Sequence, residues 1–357
     1  MSRPSLDQPF VTGSLQTPAG LVPRVSSSLT WADHWGTIKA RWGVGRMHYM
    51  VDPGLYALGN PYDQSPILIT ANYKMSFDRL REALTGRDAW ILVLDTKGIN
   101  VWCAAGKGTF GAEELTRQVE NSALAKIVTH SKLILPQLAG PGVAAHKVNK
   151  LSGFQAIYGP IQAKDLPTFI DRGFKATPEM RRKAFPLWER AVLIPMELVG
   201  AMKAALIVIP LFFLISGLAG SAGFWVNALD HGLFAVIALL GALAAGAIFT
   251  PILLPWLPGR AFSLKGLTAG LITAVILLVF RAVCQTGDLN HWMGRFEALA
   301  WLFMVPAVAA YLAMNFTGSS TYTSLSGVKK EMKWAVPLEI GAAFVGICLW
   351  LGSRFMI

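Results

Sequence analysis

The apolar and polar positions divide the chain near Arg190. Before it, short β-rich runs at Ile67 to Thr70, Trp90 to Asp95, Leu133 to Leu135 and Phe154 to Tyr158 alternate with helical stretches at Ser76 to Leu84, Ala112 to Val128 and Leu166 to Arg172. That alternation predicts a parallel sheet flanked by helices. Thr109 is a candidate N-cap for the second helix, because Glu113 and Glu114 in its first turn suit the positive end of the helix dipole. Trp31 to Arg46 mixes charges and aromatics without a firm period and is read as a weak helix. Residues 1–30, rich in Pro, Ser, Thr and Gly, read as a flexible N-terminal arm.

Beyond Arg190 the pattern belongs to a different solvent. Ala204 to Leu229 and Gly232 to Gly259 contain no Asp, Glu, Lys or Arg, over more than the roughly 20 residues a helix needs to cross a bilayer. Gly266 to Phe280 is shorter, with Lys265 and Arg281 placed to snorkel from its ends. Ala298 to Phe316 and Val336 to Gly352 complete five predicted spans. Glu197, Lys203 and Glu339 fall at or near span ends, where a charge more often snorkels or meets an interface than marks a transport path. The polar run Thr317 to Ser326 is either an anion or substrate site or a solvated loop. The predicted organisation is an arm over 1–30, an α/β domain over 31–190 and an all-α transmembrane domain over 191–357.

Composition sharpens this division. The chain has 357 residues, 53% of them hydrophobic, and a mean hydropathy of +0.45, above the usual range for a soluble globular protein. Residues 1–190 hold 23 Lys and Arg against 15 Asp and Glu, whereas residues 191–357 hold 9 against 6. No basic run is interleaved with aromatics, so the surplus does not point to nucleic acid. Arg181, Arg182, Lys183 and Arg190 precede the first apolar block, where they suit lipid headgroups. Arg260, Lys265, Lys329, Lys330 and Lys333 fall in connections on the α/β domain's side, with Arg281, Arg295 and Arg354 opposite. This bias predicts a multi-pass protein of the cytoplasmic (inner) membrane with the α/β domain in the cytoplasm. Met1 to Arg24 lacks the apolar core of a secretory signal, and three cysteines argue against a disulfide scaffold.

Cys103 is the one cysteine outside the apolar blocks. It follows the predicted strand Trp90 to Asp95, at the end of an open sheet where ligands bind. It has no Cys-x-x-Cys partner, and on composition alone a lone thiol is a small buried hydrophobe. Its neighbours change the reading. Asn100-Val101-Trp102-Cys103-Ala104-Ala105-Gly106-Lys107 resembles the cap-helix motif of the HgcA family, corrinoid proteins of microbial mercury methylation. The resemblance extends to Pro53-Gly54-Leu55-Tyr56, Thr70-Ala71-Asn72-Tyr73-Lys74, Leu135-Pro136-Gln137-Leu138, Tyr158-Gly159-Pro160 and Asn315-Phe316-Thr317-Gly318.

That resemblance implies a Rossmann-like corrinoid-binding α/β domain, with Cys103 as both catalytic residue and lower ligand to the corrinoid cobalt. Cobalt ligation requires the thiolate, whose electron donation favours release of a methyl group with carbanion or radical character, as haem thiolates push density across iron. Inorganic Hg(II), a soft electrophile, needs such a methyl group. The His-on arrangement of other corrinoid proteins, Asp-x-His-x-x-Gly, is absent, since Asp33-His34-Trp35-Gly36 has the wrong spacing. Gly106 and Gly108 suit close backbone approach to the ring or a sharp turn. Lys107 either favours the thiolate or solubilises the turn, and Trp102 packs on the macrocycle or in the core. The resemblance extends the pocket to Thr70, Asn72, Pro136, Gln137, Gly159 and Pro160.

The partners implied are an HgcB-like ferredoxin as electron donor and mercury carrier, and a methyltetrahydrofolate-dependent methyl donor. No cysteine cluster able to hold an iron–sulfur centre occurs in this chain. The related corrinoid iron–sulfur protein of the acetyl-CoA pathway has its own cluster and a barrel domain and no membrane anchor, a departure that argues against carbon fixation here. Two other readings remain open: a corrinoid methyl carrier with another acceptor, and a corrinoid-binding or transport membrane protein in which Cys103 is structural.

Overall fold

The computed structural model describes residues 4–219, 222–284, 292–316 and 325–355. The chain forms two compact units, one over residues 1–40 and 44–184 and the other over 41–43 and 185–357.

The first unit is an α/β layer structure on a seven-stranded mixed sheet. Its strands are β1 (Val11–Thr17), β2 (Gly20–Val25), β3 (Gly54–Leu58), β4 (Ile67–Ala71), β5 (Ala89–Leu94), β6 (Lys132–Leu135) and β7 (Gln155–Tyr158). They lie in the order β1-β2-β3-β5-β4-β6-β7. The pairs β5-β4, β4-β6 and β6-β7 are parallel, β3 runs antiparallel to β5, and the β1-β2 hairpin closes one edge through a parallel β2-β3 pair. All residues of β3, β4 and β5 are buried, as expected of strands covered on both faces.

The helices α1 (Trp31–Arg41), α2 (Lys74–Ala83), α3 (Val101–Lys107), α4 (Ala112–Asn121), α5 (Ala145–Ser152) and α6 (Leu166–Asp171) supply that cover. Phe77, Leu80 and Leu84 from the α2 region, with Leu166 and Phe169 from α6, pack with Leu68, Ile91, Val93 and Ile134. Ala104, Ala105, Leu115, Val119 and Val148 from α3, α4 and α5 pack with Ile67, Ile69, Leu92 and Leu133. Successive strand residues therefore feed opposite layers. The connection from β4 leads to β5 on one side, and β6 lies on the other side of β4. The chain thus reverses direction across the sheet at β4 and β6.

Residues 11–25 belong to this sheet, which corrects the expectation of a loose arm over 1–30. β2 pairs with β3, and Arg81 Nη1 donates to the carbonyls of Ser26 (2.7 Å) and Ser28 (2.9 Å). Arg81 is completely buried and also meets Asp33 (2.9 Å) and Asp78 (2.9 Å), while Lys74 meets Asp33 (2.5 Å) and Asp78 (2.7 Å). Two cations and two carboxylates thus join α1, α2 and the segment after β2. Thr109 does not cap α4. Gly111 occupies the N-cap, while Glu113 and Glu114 stand in the first turn as expected.

Among the described residues the second unit has five helices long and apolar enough to cross a membrane: α7 (Ile194–Leu218), α8 (Phe224–Leu253), α9 (Phe262–Cys284), α10 (Trp292–Asn315) and α11 (Leu325–Phe355). The number agrees with the sequence reading but two boundaries do not. The first helix ends at Leu218, so Trp225 to Leu229 belong to the second, and charged Glu197 and Lys203 lie within α7. The apolar part of α11 runs from Gly327 to Phe355, which places Glu339 well inside the helix. Of the polar run Thr317 to Ser326, read as a possible ligand site, residues 317–324 lie outside the described residues and the last two open α11.

Glycines let neighbouring helices approach α10 closely. A Cβ at Gly266 would lie 2.5 Å from Ala313 Cβ, and one at Gly270 would lie 2.6 Å from Pro306 Cα. These two positions form a Gly-x-x-x-Gly step, the small-residue spacing of close membrane-helix pairs. Gly246 and Gly346 make similar approaches to Ala309 and Met304. Lys265 and Arg281 are buried rather than snorkelling. Lys265 Nζ donates to the carbonyls of Leu254 (2.8 Å) and Leu257 (2.6 Å), just past the end of α8, and Arg281 lies against His231 (2.8 Å).

Asp33 shows what the buried network contributes. Burial opposes its ionisation, but the Lys74 ammonium and the Thr30 donors hold its carboxyl well below the usual range. Asp33→Asn is expected to destabilise the α/β unit by about 3–5 kcal/mol, because Arg81 and Lys74 lose a buried carboxylate. Hydrogen exchange of the α1 and α2 amides in the full chain measures this. Because the folded pKa is depressed, the contribution is complete above the unfolded carboxyl value of about 3.9 and is lost as pH falls below it.

Candidate functional site

The candidate site lies at the carboxyl ends of β4, β5, β6 and β7, beside the point where the sheet reverses direction, as ligand sites of open α/β sheets do. After β5, residues 95–99 make a tight turn in which Lys97 (φ +58°) and Gly98 (φ +70°) are left-handed. The turn is held from below by Asn72, which is 2% exposed. Its Oδ1 accepts from Thr96 N (3.1 Å), Thr96 Oγ1 (2.8 Å) and Gly98 N (3.0 Å). Its Nδ2 donates to Asp95 Oδ1 at 3.4 Å. Asp95 is itself partly buried, which opposes ionisation, but the ammonium and backbone N–H of Lys97 bring its carboxyl below the usual range.

Out of this turn rises α3. Asn100 is its N-cap, with Oδ1 accepting from Cys103 N at 2.9 Å, and Gly108 ends it in the left-handed conformation (φ +82°). Residues 101–107 are thus a short helix with Cys103 in its first turn. Ala104 and Ala105 face the core, where only small side chains fit. A Cβ at Gly142, in the loop after β6, would come within 2.8 Å of Ala105 Cα and 2.3 Å of Phe110 O. This close approach packs α3 against the turn after β6.

The outer side of α3 is open. Cys103 is a free, partly exposed thiol, and Gly106 and Lys107 are exposed. Residues three apart share a helix face, so Gly106 lies beside Cys103. Apart from its chain neighbours and the helix's own backbone, no atom of the described residues lies within 4 Å of the position a Cβ would take at Gly106. Gly108, by contrast, is required by the turn itself. Lys107 stands in the last turn, where a cation suits the helix dipole. Val101 and Trp102 are half-buried on the flanks.

The other expected site residues are brought to the same edge but differ in access. Pro136 and Gln137 are partly exposed in the turn after β6, with Arg181 Nη1 donating to Gln137 Oε1. Thr70, Asn72, Gly159 and Pro160 are buried. Gly159 N donates to Leu135 O (2.7 Å), and a Cβ there would meet Ile134 and Leu135 within 3.4 Å. These residues shape the edge from below. Thr96 and Gly142 were missed by the sequence reading. The Gly140-Pro141-Gly142 triplet was the available signal for the second, whereas the role of Thr96 depends on a partner 24 residues away. Among the described residues, no group of three or more His, Cys, Asp or Glu is arranged to hold a metal ion.

Fold and site together define an open mixed α/β domain with a ligand edge formed by a capped, thiol-bearing helix. Residues 45–170 match the family described as CO dehydrogenase/acetyl-CoA synthase delta subunit. This region is also similar to acetyl-CoA decarbonylase/synthase complex subunit gamma from Methanopyrus kandleri, at 29% identity over 34% of this chain and 26% of the relative. The corresponding subunit of Methanocaldococcus jannaschii is 35% identical over 34% of this chain and 25% of its own length. Subunit gamma 2 of Methanosarcina thermophila is 32% identical over 35% and 27%. The α/β unit is thus related to proteins of the acetyl-CoA pathway, as expected from its sequence. The chain spans about a quarter of the length of these relatives.

Asn72→Ala is expected to destabilise the turn by about 1–3 kcal/mol, since buried donors lose their acceptor. Amide exchange should quicken at Thr96, Gly98 and Cys103 and stay unchanged in the β1-β2 hairpin. Asn100→Ala, a lost helix cap, is expected to cost about 1 kcal/mol and affect α3 alone.

Proposed function

We propose that this chain is a membrane-anchored corrinoid methyltransferase that passes a methyl group to inorganic Hg(II), with Cys103 as the residue whose thiolate would hold the corrinoid cobalt. The observation that carries this reading is the pairing of a partly exposed thiol with a side-chain-free backbone at Gly106 on one face of α3. A broad planar ligand over Cys103 requires such clearance, and the protein makes no use of it.

When bound, a corrinoid supplies methyl-group transfer, and an anionic sulfur below its metal favours release of the methyl with carbanion or radical character. The chain's own residues hold and orient. Asn72 sets the turn, Asn100 caps the helix, and the closely packed Ala104 and Ala105 fix the direction in which Cys103 presents its sulfur. Trp102, Val101, Pro136 and Gln137 form the rim around it, while Thr70, Gly159 and Pro160 support that rim from below. The five apolar helices anchor the chain in the cytoplasmic membrane, with the α/β domain in the cytoplasm. A separate ferredoxin-like protein supplies electrons and Hg(II), and a methyltetrahydrofolate-dependent system supplies the methyl group.

The similarity to acetyl-CoA decarbonylase/synthase subunits favours a second reading, a methyl carrier with another acceptor. Comparing Hg(II) with thiol and metalloid acceptors separates the two.

The test is the visible absorption spectrum of the full chain reconstituted with cobalamin. A sulfur-ligated spectrum is expected in the wild type and its loss in Cys103→Ala, together with a fall of methylmercury formation to background. A nitrogen- or water-ligated spectrum in the wild type would overturn the reading. Gly106→Ala separates ligand approach from folding. It is expected to stabilise α3 by up to about 1 kcal/mol while weakening cobalamin binding.

A further inference from the structure

Glu339 is out of place among the apolar residues of α11. It lies 12 residues beyond Gly327, about 18 Å along the helix axis. It is 9% exposed, and among the described residues neither carboxyl oxygen has a hydrogen-bond partner. Nearby buried charges are satisfied differently: Glu331 accepts from Ser263 N at 2.6 Å, and Lys265 bonds two carbonyls. A buried carboxyl without a partner is costly, and ionisable groups inside membrane helices commonly serve a function.

Glu339 lines two cavities. The larger, of about 630 Å³, lies among α7, α8, α10 and α11 and is walled by small and aliphatic residues such as Ala201, Ala205 and Leu239. Its other polar lining groups are Glu197, Tyr311 and Asn315. The smaller, of about 380 Å³, lies among α9, α10 and α11, with Leu267, Pro306 and Trp334 in its wall. Neither lining contains a Lys or Arg. Ile340 and Tyr311, at 64% and 50% exposed, border the larger cavity, which therefore opens on the outer face of the bundle, the face toward lipid in a spanning protein. The volume is that of small-molecule sites, about 300–1,000 Å³.

We infer that the larger cavity binds a lipophilic cation from the bilayer, a molecule with apolar bulk around an onium centre, and that Glu339 is its counter-ion. The apolar walls take the bulk, and Glu339 meets the charge. Anionic amphiphiles are disfavoured by the same carboxylate. The site lies within the helical unit and is independent of the role of Cys103.

The test uses the full chain in phosphatidylcholine nanodiscs, with tetraphenylphosphonium as the probe in equilibrium dialysis. One saturable site per chain is expected above the uptake of empty nanodiscs, with no displacement by neutral triphenylphosphine oxide. Glu339→Gln keeps the size of the side chain and removes its charge, and should weaken binding at least tenfold. Ala343→Phe keeps the carboxyl and fills the cavity, and should weaken binding to a similar extent. Elution as a single species identifies folded variants, and if one fails to fold the other decides. The inference is overturned if uptake matches empty nanodiscs, or if a folded variant binds as tightly as the wild type.

Discussion

The position of Cys103 depends on one buried carboxamide. Asn72 ends β4 at the centre of the parallel strands, and its Oδ1 takes three donors from the turn that follows β5. The turn contains two consecutive left-handed residues and has few backbone hydrogen bonds of its own, so its shape is set from the neighbouring strand. Asn100 then continues the same device one step along, as its side chain closes the first turn of α3 on Cys103 N. Two short polar side chains, acting in series, convert the rigidity of the sheet into a fixed direction for a thiol at its edge.

The two units solve opposite solvent problems. In the α/β unit the apolar residues are inside, and the charges that remain there, Asp33, Lys74, Asp78 and Arg81, are paired, with Arg81 also donating to the carbonyls of Ser26 and Ser28. In the helical unit large apolar residues such as Leu206, Ile207, Ile276 and Leu338 are more than half exposed, while buried charges converge between helices, as where Glu297 meets Arg354. Without water to satisfy polar groups, helices in lipid turn their charges toward one another. Close packing there is made by glycines against α10, since burial of apolar side chains gives little preference between protein and lipid. Glu339 departs from this pairing, which is why it draws attention to the space beside it.

Much of the architecture was legible in the chain. Alternating short β-rich runs and amphipathic stretches located β4 to β7 and α2, α4 and α6, and the missing charges beyond Arg190 indicated five long helices. β1, β2 and β3 were not legible. Gly54-Leu55-Tyr56-Ala57-Leu58 is a five-residue strand buried on both faces, so it carries no alternation, and the first hairpin is held by pairing with β3 and by Arg81 from a distant helix. The Gly-x-x-x-Gly step of α9 is visible in the residues, but its meaning depends on which helix faces it.

For the site, local chemistry determined the parts and the tertiary structure determined their use. A small-residue stretch with Asn100 before it and Gly108 after it contains its own helix start and stop, because capping needs only neighbours along the chain. The burial of Thr70, Asn72, Gly159 and Pro160 depends on layers contributed from far apart in sequence. The same holds for Glu339: its charge is written in the chain, but its lack of a partner follows only from what four other helices place, or do not place, within hydrogen-bond reach.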